Sequence, residues 1–351
     1  MAVTKEKILD VLKKVKDPGL NKGLVELGMI KDIEIAGSAV RVTVALTMSG
    51  CPNKNQIKDD VEKVIHTLED VSEVRVILTT MTSEERAKLL GQEPSDMQGI
   101  EKVKRIIAIA SGKGGVGKTT VSVNMAIALS KKGFKVGILD ADMHGPDIPI
   151  MLGIDERPLG SKGMLLPIEK FGLKIVSTAT LAGEGVPIVW RGPLVTKAIK
   201  EFLGHVAWGE LDYLLVDLPP GTGDAPLTMA KLISLDGVVI VTTPQKVALA
   251  DVRRCIGMFV GQNIPILGIV ENMSFLRIPG VSEEQILEVF GSGGGEKIAK
   301  AFNVPLLGKV PLDQKIREGG DTGKPMTLNA DSECAKTFGS IADELLKHIS
   351  K

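Results

Sequence analysis

The chain has 351 residues, of which 44% are hydrophobic, and its 43 basic and 43 acidic side chains give a formal net charge of zero. This length predicts two domains with ordinary hydrophobic cores. The balanced charge argues against a strongly nucleic-acid-binding or anionic-membrane-binding surface, and an aromatic content of 3% argues against stacking platforms for single strands. The sequence therefore predicts neither a nucleic-acid nor a membrane partner. A local charged patch is compatible with a net charge of zero and is kept as an alternative.

Three cysteines, Cys51, Cys255 and Cys334, provide no disulfide framework. Residues 1–16 are charged and helix-like rather than a secretory signal, and no apolar stretch approaches the roughly 20 residues of a membrane-spanning helix. The four histidines lack the ligand spacing typical of structural zinc. A cytoplasmic protein is the expectation.

Residues 1–90 are predicted to form a small α/β domain. Thr4 is expected to cap a first helix whose apolar residues recur at helical spacing. The polar stretch 91–102 is predicted to be a linker to a second domain, 103–351. The other elements expected in the small domain are a hairpin of residues 29–35 and 39–46, a helix after Asn53, and a strand over residues 74–78.

Strand and helix signals alternate from residue 103 onward. Continuous apolar strands that alternate with helices predict an α/β fold with a mostly parallel, doubly wound sheet. Ligands of such sheets bind at the carboxyl ends of the strands, where the acidic motifs of this chain occur. The predicted strands cover residues 106–110, 136–139, 173–177, 213–216, 238–241 and 266–270.

A glycine-rich segment, residues 111–120, lies between the first of these strands and a predicted helix. Glycines let consecutive backbone N–H groups turn around a phosphate, and the helix N-terminus adds positive potential. Lys118 supplies a charge for the β- and γ-phosphates, and the Thr119 hydroxyl can reach Mg²⁺. The predicted nucleotide-binding residues of this P-loop are Gly112, Lys113, Gly114, Gly115, Val116, Gly117, Lys118, Thr119 and Thr120.

Carboxylates follow two of the predicted strands. Asp140 and Asp142 are separated by one residue, so strand alternation predicts that they point the same way, to hold Mg²⁺-bound water or to orient an attacking water. The alternative is that Asp142 or Asp147 caps a helix. Asp217 is predicted to bind Mg²⁺ through water, and the following turn, which Asp224 would cap, is predicted to bring a glycine amide to the γ-phosphate.

Asn272 follows the last of the six predicted strands. Its amide carries both donors and an acceptor, so it can hydrogen-bond both edges of adenine. The alternative is an asparagine that simply forms a turn.

The pattern Lys-Gly-Gly-x-Gly-Lys-Thr over residues 113–119 resembles the deviant P-loop of the ParA/MinD superfamily, which includes the nitrogenase iron protein. The resemblance implies an ATP-sandwich homodimer in which Lys113 reaches the partner's nucleotide; a solvated surface lysine is the alternative. It further implies that Asp142 positions the attacking water, that Asp140 supports the Mg²⁺ site and that Asn272 contacts adenine.

Several further segments resemble a narrower group, the Mrp/ApbC iron–sulfur cluster carrier ATPases. The resemblance covers nearly the whole chain and implies ATP and Mg²⁺ as cofactors, ATP hydrolysis, and transfer of clusters to apoproteins or assembly factors. Its N-terminal part is similar to small cluster-assembly domains. The segments are 144–149, 190–193, 217–224, 271–274 and 290–295, together with 17–18, 27–30 and 49–52 in the N-terminal part.

One departure concerns the cluster ligands. Family members usually carry Cys-x-x-Cys shortly after Asn-Met-Ser, whereas residues 275–281 contain no cysteine. Cys255 and Cys334 lie in helical patterns and are expected to pack in the core. Cys51 lies in the turn-like segment 49–52 that resembles the family, and this resemblance makes it a candidate cluster ligand. The alternative functions are a cluster-free ATPase scaffold and a MinD- or ParA-like positioning switch on membrane or DNA. Electron transfer ranks last, since it requires the absent cysteines.

Overall fold

The fold was analysed in a computed structural model, which describes residues 3–18, 22–47, 53–81, 85, 99–143, 145–161, 164–178, 192–277 and 286–349. The chain forms two compact units, Met1–Gln92 and Glu93–Lys351. Cys51 and His144 lie outside the described residues.

The described residues of the first unit form a three-stranded sheet and two helices. Strands β1 and β2 form the expected antiparallel hairpin, and β3 adds to β2 in parallel. The Thr4 hydroxyl accepts a hydrogen bond from the backbone N–H of Lys7, which confirms the predicted helix cap. The elements are α1 (Lys5–Leu12), β1 (Ile30–Ala36), β2 (Ala39–Leu46), α2 (Lys54–Ile65) and β3 (Glu73–Thr80).

The second unit contains an eight-stranded sheet in the order β15-β12-β11-β4-β10-β5-β9-β8. Its strands are parallel apart from β8, which pairs antiparallel with β9 at one edge. The predicted mostly parallel sheet is therefore confirmed. The strands of this sheet are β4 (Val103–Ser111), β5 (Val136–Asp140), β8 (Ile168–Lys170), β9 (Leu173–Ser177), β10 (Leu211–Asp217), β11 (Gly237–Thr242), β12 (Ile266–Glu271) and β15 (Leu306–Lys309). Two separate two-stranded sheets pair β6 (Gly160–Ser161) with β7 (Met164–Leu165) and β13 (Leu276–Arg277) with β14 (Ile286–Leu287).

Helices cover the central strands, which are buried on both faces. The first and last helices of this unit pack on each other and share one apolar cluster with the sheet. Among the residues that the structure describes, no helix combines the length and apolar character needed to span a bilayer. The helices within the described ranges are α3 (Lys118–Lys131), α4 (Ile148–Leu152), α5 (Gly192–Gly204), α6 (Asp224–Leu232), α7 (Lys246–Val260), α8 (Gly294–Ala301), α9 (Gln314–Asp321) and α10 (Glu333–Ile349), with a 3₁₀ turn at Met326–Leu328.

Two element ends differ from those that the sequence predicts. β5 ends at Asp140, so Asp142 lies beyond the strand and the alternation of strand side chains does not apply to it. Gly223 is the N-cap of α6 and Asp224 is its first residue, so the predicted cap at Asp224 is wrong. Sequence patterns locate the ends of elements only to within a few residues.

Candidate nucleotide-binding site

The P-loop joins β4 to α3 and requires glycine at specific positions. Gly115 and Gly117 have φ angles of 78° and 80°, in the left-handed region that residues with a Cβ rarely adopt. A Cβ at Gly112 would lie 2.4 Å from the backbone carbonyl carbon of Asp251 in α7. The loop therefore depends on glycine both for its backbone conformation and for its close approach to a neighbouring helix.

A buried hydrogen-bond network connects the start of α3 with the end of β10. The Lys118 ammonium donates to Oδ2 of Asp217 at 2.7 Å, and the Thr119 hydroxyl donates to the same oxygen at 2.8 Å. The Ser122 hydroxyl donates to the other oxygen, Oδ1, at 2.5 Å. Both oxygens of this carboxylate are therefore held by side chains of one helix, although Asp217 is 99 residues from Lys118 in the chain.

Asp142 lies beside this network, whereas Asp140 has a different environment. Lys118 Nζ is 3.7 Å from Oδ2 of Asp142. The Asp140 carboxylate accepts from the Ser177 hydroxyl at 3.0 Å and from the backbone N–H groups of Asp142 and Ile148, both at 3.3 Å. Burial, reinforced by the nearby Asp217 charge, raises the pKa of Asp140 well above its usual value. The N-cap of α4 is Asp147 rather than Asp142, and its side chain makes no capping bond.

Asn272 lies against the P-loop. Its side-chain Nδ2 donates to the backbone carbonyl of Val116 at 2.8 Å, and a Cβ at Gly117 would lie only 2.2 Å from the same nitrogen. That bond uses one of the two amide N–H donors, so the amide retains donor and acceptor capacity for a base.

One cavity of about 670 Å³ brings most of the predicted residues together. Lys113, Lys118, Thr119, Asp142 and Asn272 all line it. Gly112, Val116, Asp140 and Asp217 are buried among the elements that support it. The remaining lining residues are Ser111, Gly114, Gly115, Gly117, Thr120, Gly145, Asp147, Ile150, Met151, Pro220, Met273, Pro311, Leu312, Asp313, Ile316, Arg317, Gly320 and Asp321.

Several of these contacts were not predicted from the sequence. Ser122 is four residues after Lys118, so helical spacing could have placed it on the same face. Ser177 ends β9 as Asp140 ends β5, and polar residues at strand ends are the signal that could have identified it. No motif near Arg317 in the sequence indicates that it lines the cavity, because α9 is brought there by the tertiary packing.

The turn after β10 differs from its predicted arrangement. The Gly221 amide, expected to approach a γ-phosphate, donates instead to the backbone carbonyl of Ser111 at 2.9 Å. Gly221 has a φ of 96° and Pro220 lines the cavity, so the turn lies at the correct edge of the sheet. Its amide would have to exchange this bond to contact phosphate.

The donor set suits a polyphosphate and a hard divalent cation. The Thr119 hydroxyl and the Asp217 carboxylate are adjacent oxygen groups of the kind Mg²⁺ prefers, and Lys118 adds a charge for phosphate. The described residues contain no group of three or more His, Cys, Asp or Glu side chains suited to a metal ion. Burial raises the pKa of the Cys255 thiol to about 12 and that of Cys334 to about 11, which confirms that both pack in the core.

Comparisons with known proteins agree with this geometry. Residues 102–346 match the model of the NUBPL iron-transfer P-loop NTPase family, and residues 5–76 match that of the iron–sulfur cluster assembly protein family. An iron–sulfur cluster carrier protein of Synechocystis sp. is 46% identical over 99% of this chain and 98% of its own length. A protein of the same name from Deinococcus radiodurans is 40% identical over 98% of this chain and 95% of its own.

Solved structures show the same fold for the larger unit. A nucleotide-binding protein of Archaeoglobus fulgidus in complex with ADP is 38% identical, with a TM-score of 0.60 over 68% of this chain and 94% of that one. The cell division ATPase MinD of Pyrococcus furiosus is 26% identical, with a TM-score of 0.51 over 69% of this chain and 98% of that one. With its P-loop, strand-end carboxylates and sheet order in place, the chain belongs to the NUBPL iron-transfer P-loop NTPase family and carries an N-terminal region of the iron–sulfur cluster assembly protein family.

Proposed function

We propose that the chain is an ATP-binding and ATP-hydrolysing homodimer that binds, carries or helps transfer iron–sulfur clusters to apoproteins. The observation that carries the proposal is the contact of Lys118 and Thr119 with Asp217, with Asp142 beside them, at one edge of a parallel sheet. The relatives named iron–sulfur cluster carrier proteins, which match nearly the full chain, support the cargo. The cytoplasmic location stays a prediction.

Each residue has a distinct role in this proposal. Lys118 binds the β- and γ-phosphates of its own subunit's nucleotide, and Asp142 orients the attacking water. Asn272 contacts adenine from its place against the P-loop. Lys113 lines the same cavity and contacts the partner subunit's nucleotide, which makes hydrolysis depend on the dimer.

Thr119 and Asp217 would hold Mg²⁺, and Asp140 would support the site through the backbone of the Asp142 segment. When bound, the ion neutralises charge on the β- and γ-phosphates. The protein contributes the rest: Asp217 is fully buried, so its position is fixed by Ser122 and Thr119 before any nucleotide binds.

Lys113→Ala tests the dimer mechanism. We expect the variant to bind ATP as the wild type does but to lose hydrolysis, because the lysine acts on the partner's nucleotide. Phosphate release and ATP affinity are measured side by side, with Lys246→Ala, an α7 lysine that does not line the cavity, as the control. Normal hydrolysis by Lys113→Ala would show that the trans-lysine mechanism is wrong.

Cys51 is the proposed cluster ligand of this chain. The other two cysteines are buried and their pKa values are raised, so neither thiol is poised to become the thiolate that ligates iron. A dimer supplies two Cys51 thiolates, and a partner protein or a small thiol would complete the set of four.

Anaerobic reconstitution with iron and sulfide tests the cargo. Bound iron and visible absorption are measured for the wild type, for Cys51→Ser and for the matched control Cys334→Ser. We expect a cluster that is lost only in Cys51→Ser. Full retention in Cys51→Ser would exclude this ligand, and no cluster in any of the three would favour the alternative of a cluster-free ATPase scaffold, which the absence of Cys-x-x-Cys in residues 275–281 supports.

The positioning-switch alternative has less support. Such a switch needs a basic amphipathic C-terminus or a basic patch. The apolar face of α10, which includes Phe338, Ile341 and Leu345, is fully buried in the core of its own unit. Binding assays with liposomes and DNA, with and without ATP, would distinguish a positioning switch from a cluster carrier. We expect the protein to bind neither liposomes nor DNA.

A further inference from the structure

Glu271 is a buried acidic residue to which the proposed mechanism assigns no role. It ends β12 and is fully buried. Its Oε1 accepts a hydrogen bond from the Ser274 hydroxyl, and its Oε2 accepts from the backbone N–H of Gly295 at 2.5 Å. Burial of a carboxyl group costs free energy unless hydrogen bonds compensate it, so a carboxyl group at this position is expected to have a structural or functional role.

The bond between the Ser274 hydroxyl and Glu271 closes a tight turn that carries Asn272. Met273, between Asn272 and Ser274, has a φ of 53°, a left-handed conformation that is unfavourable for a residue with a Cβ. On either side of it, the backbone N–H of Asn272 donates to Thr242 at 2.7 Å and that of Ser274 donates to Val310 at 3.0 Å. The turn is therefore held in a strained conformation by bonds at both of its ends.

The bond between the Gly295 N–H and Glu271 connects this turn to α8. Gly295 lies in the first turn of that eight-residue helix, where a carboxyl group is favourably placed against the helix dipole. A Cβ at Gly295 would lie 2.9 Å from the Cβ of Glu271, so glycine is required for the contact. The carboxyl group thus anchors the turn to a regular element.

The position of the turn sets the position of the Asn272 amide. The amide contacts the P-loop at Val116, and the space beside Gly117 is too small for even one additional carbon. A small displacement of the turn would therefore move the amide out of this contact and change the donor and acceptor that it presents to a base.

We propose that Glu271 is a positioning residue for base recognition: its carboxyl group holds the turn that aims the Asn272 amide at adenine. The inference rests on the proposed adenine contact of Asn272. It predicts that loss of the Glu271 hydrogen bonds reduces the preference for adenine as well as the affinity for nucleotide, because the base contact depends on the position of the amide.

Glu271→Gln tests the proposal with a side chain of the same shape. Glutamine has one acceptor oxygen, so with that oxygen on the Gly295 N–H its amide can meet the Ser274 hydroxyl only as a donor, and two bonds to a carboxyl group are replaced by weaker amide bonds. We expect ATP affinity to fall about three- to ten-fold, a loss comparable to that of one hydrogen bond, and the preference for ATP over GTP to fall by a similar factor. Dissociation constants for ATP and GTP are measured by calorimetric titration, and folding is checked by thermal melting.

Glu296→Gln is the matched control. It removes a carboxylate from the same turn of α8, but its side chain is exposed and pairs with Lys309 rather than with the turn at Asn272. We expect it to keep the affinity for both nucleotides. If Glu271→Gln does not fold, Ser274→Ala removes one of the two bonds and leaves the carboxyl group; about three-fold lower ATP affinity with a reduced ATP preference is expected.

Asn272→Ala separates this inference from the proposed function. We expect the double variant with Glu271→Gln to bind ATP no more weakly than Asn272→Ala alone, because the carboxyl group acts through the amide. Additive losses, or an ATP-to-GTP preference unchanged in Glu271→Gln and Ser274→Ala, would overturn the positioning role while the adenine contact stands. No effect of Asn272→Ala itself would overturn both.

Discussion

The two units of the chain fill their interiors differently. Among the described residues of Met1–Gln92, the interior is apolar apart from Asp17. The unit Glu93–Lys351 buries charged side chains where parallel strands end, and Lys118, Asp217 and Glu271 are examples. Apolar burial stabilises a fold, whereas a buried charge costs free energy unless other groups compensate it.

The buried carboxylates of the second unit connect its elements to one another at the edge of the sheet where the cavity lies. Each of the buried carboxylates Asp140, Asp217 and Glu271 accepts hydrogen bonds from side chains or backbone of a different element. Such groups fix the relative positions of strand ends and of the loops that line the cavity. The described core of the first unit is one apolar cluster, so substitutions within that cluster are expected to act through packing.

The largest effect is expected from Lys118→Ala in the second unit. Asp217 and Asp142 would lose their compensating charge, and the phosphates would lose a contact. We expect ATP affinity and hydrolysis each to fall at least about 100-fold, and the free energy of unfolding of this unit to fall by about 3 kcal/mol. Nucleotide titration, phosphate release and denaturation measure these three quantities. If Lys118→Ala still hydrolysed ATP, the buried charges of the second unit would not serve the function that we assign to them.

Ile57→Ala tests the apolar core of the first unit. Ile57 in α2 is fully buried, and its truncation removes three carbons from a packed core. We expect the free energy of unfolding of this unit to fall by about 3 kcal/mol, with ATP affinity unchanged. Hydrogen exchange resolved by segment distinguishes the units. A loss of ATP affinity would show that the first unit contributes to the nucleotide site.

A smaller effect depends on pH and is confined to the second unit. The pKa of Cys255 is raised by burial to about 12, so above pH about 9 the thiol ionises in the unfolded chain but not in the native one. The native state then binds more protons, and stability falls as pH rises from about 9 towards 12. We expect a loss of about 1.4 kcal/mol between pH 8 and pH 10 that is absent in Cys255→Ala.

Denaturant titrations of both proteins at the two pH values measure this difference. The cost of the cavity in Cys255→Ala is the same at both pH values and cancels in the comparison. An equal pH dependence in wild type and variant would mean that the native thiol ionises as freely as the unfolded one.

The smallest effect is expected from Lys13→Ala in the first unit. Lys13 pairs with Asp10 at 2.8 Å, as closely as Lys118 approaches Asp217, but both side chains of the pair are more than half exposed. Exposed pairs contribute little, and we expect a change of at most about 0.5 kcal/mol in the free energy of unfolding. A loss as large as that of Lys118→Ala would remove the distinction between the two kinds of ion pair.

Much of the fold could be predicted from the sequence because its signals are local. The six predicted strands of the sheet all form, and each is as long as predicted or longer; β4, for example, extends over Val103–Ser111. Continuous apolar runs between helical patterns require burial on both faces, which a parallel sheet provides. The antiparallel edge strand Ile168–Lys170 was not predicted, since three residues show no reliable period.

The candidate site was predictable to a smaller extent. The P-loop, Asp217 and Asn272 occur in recognisable local patterns. The structure brings the P-loop and Asn272 to one cavity and places Asp217 behind it, bonded to Lys118. The relation of Asp140 to Ser177, by contrast, joins residues 37 positions apart on neighbouring strands. A polar residue at the end of each strand is a local signal, but the pairing of these two residues is not, because strand order is decided by how the whole sheet packs.

Local sequence was enough to predict six strands of the large sheet, the glycine positions of the P-loop and a phosphate-containing ligand, because backbone conformation and phosphate chemistry depend on residues close together in the chain. Only the tertiary structure decided which carboxylate meets which donor. Asp140 and Asp217 both end strands, yet the first binds Ser177 and the second binds Thr119 and Ser122. The physical reason is that hydrogen bonds act over about 3 Å, and only the packed sheet brings these distant residues within that reach.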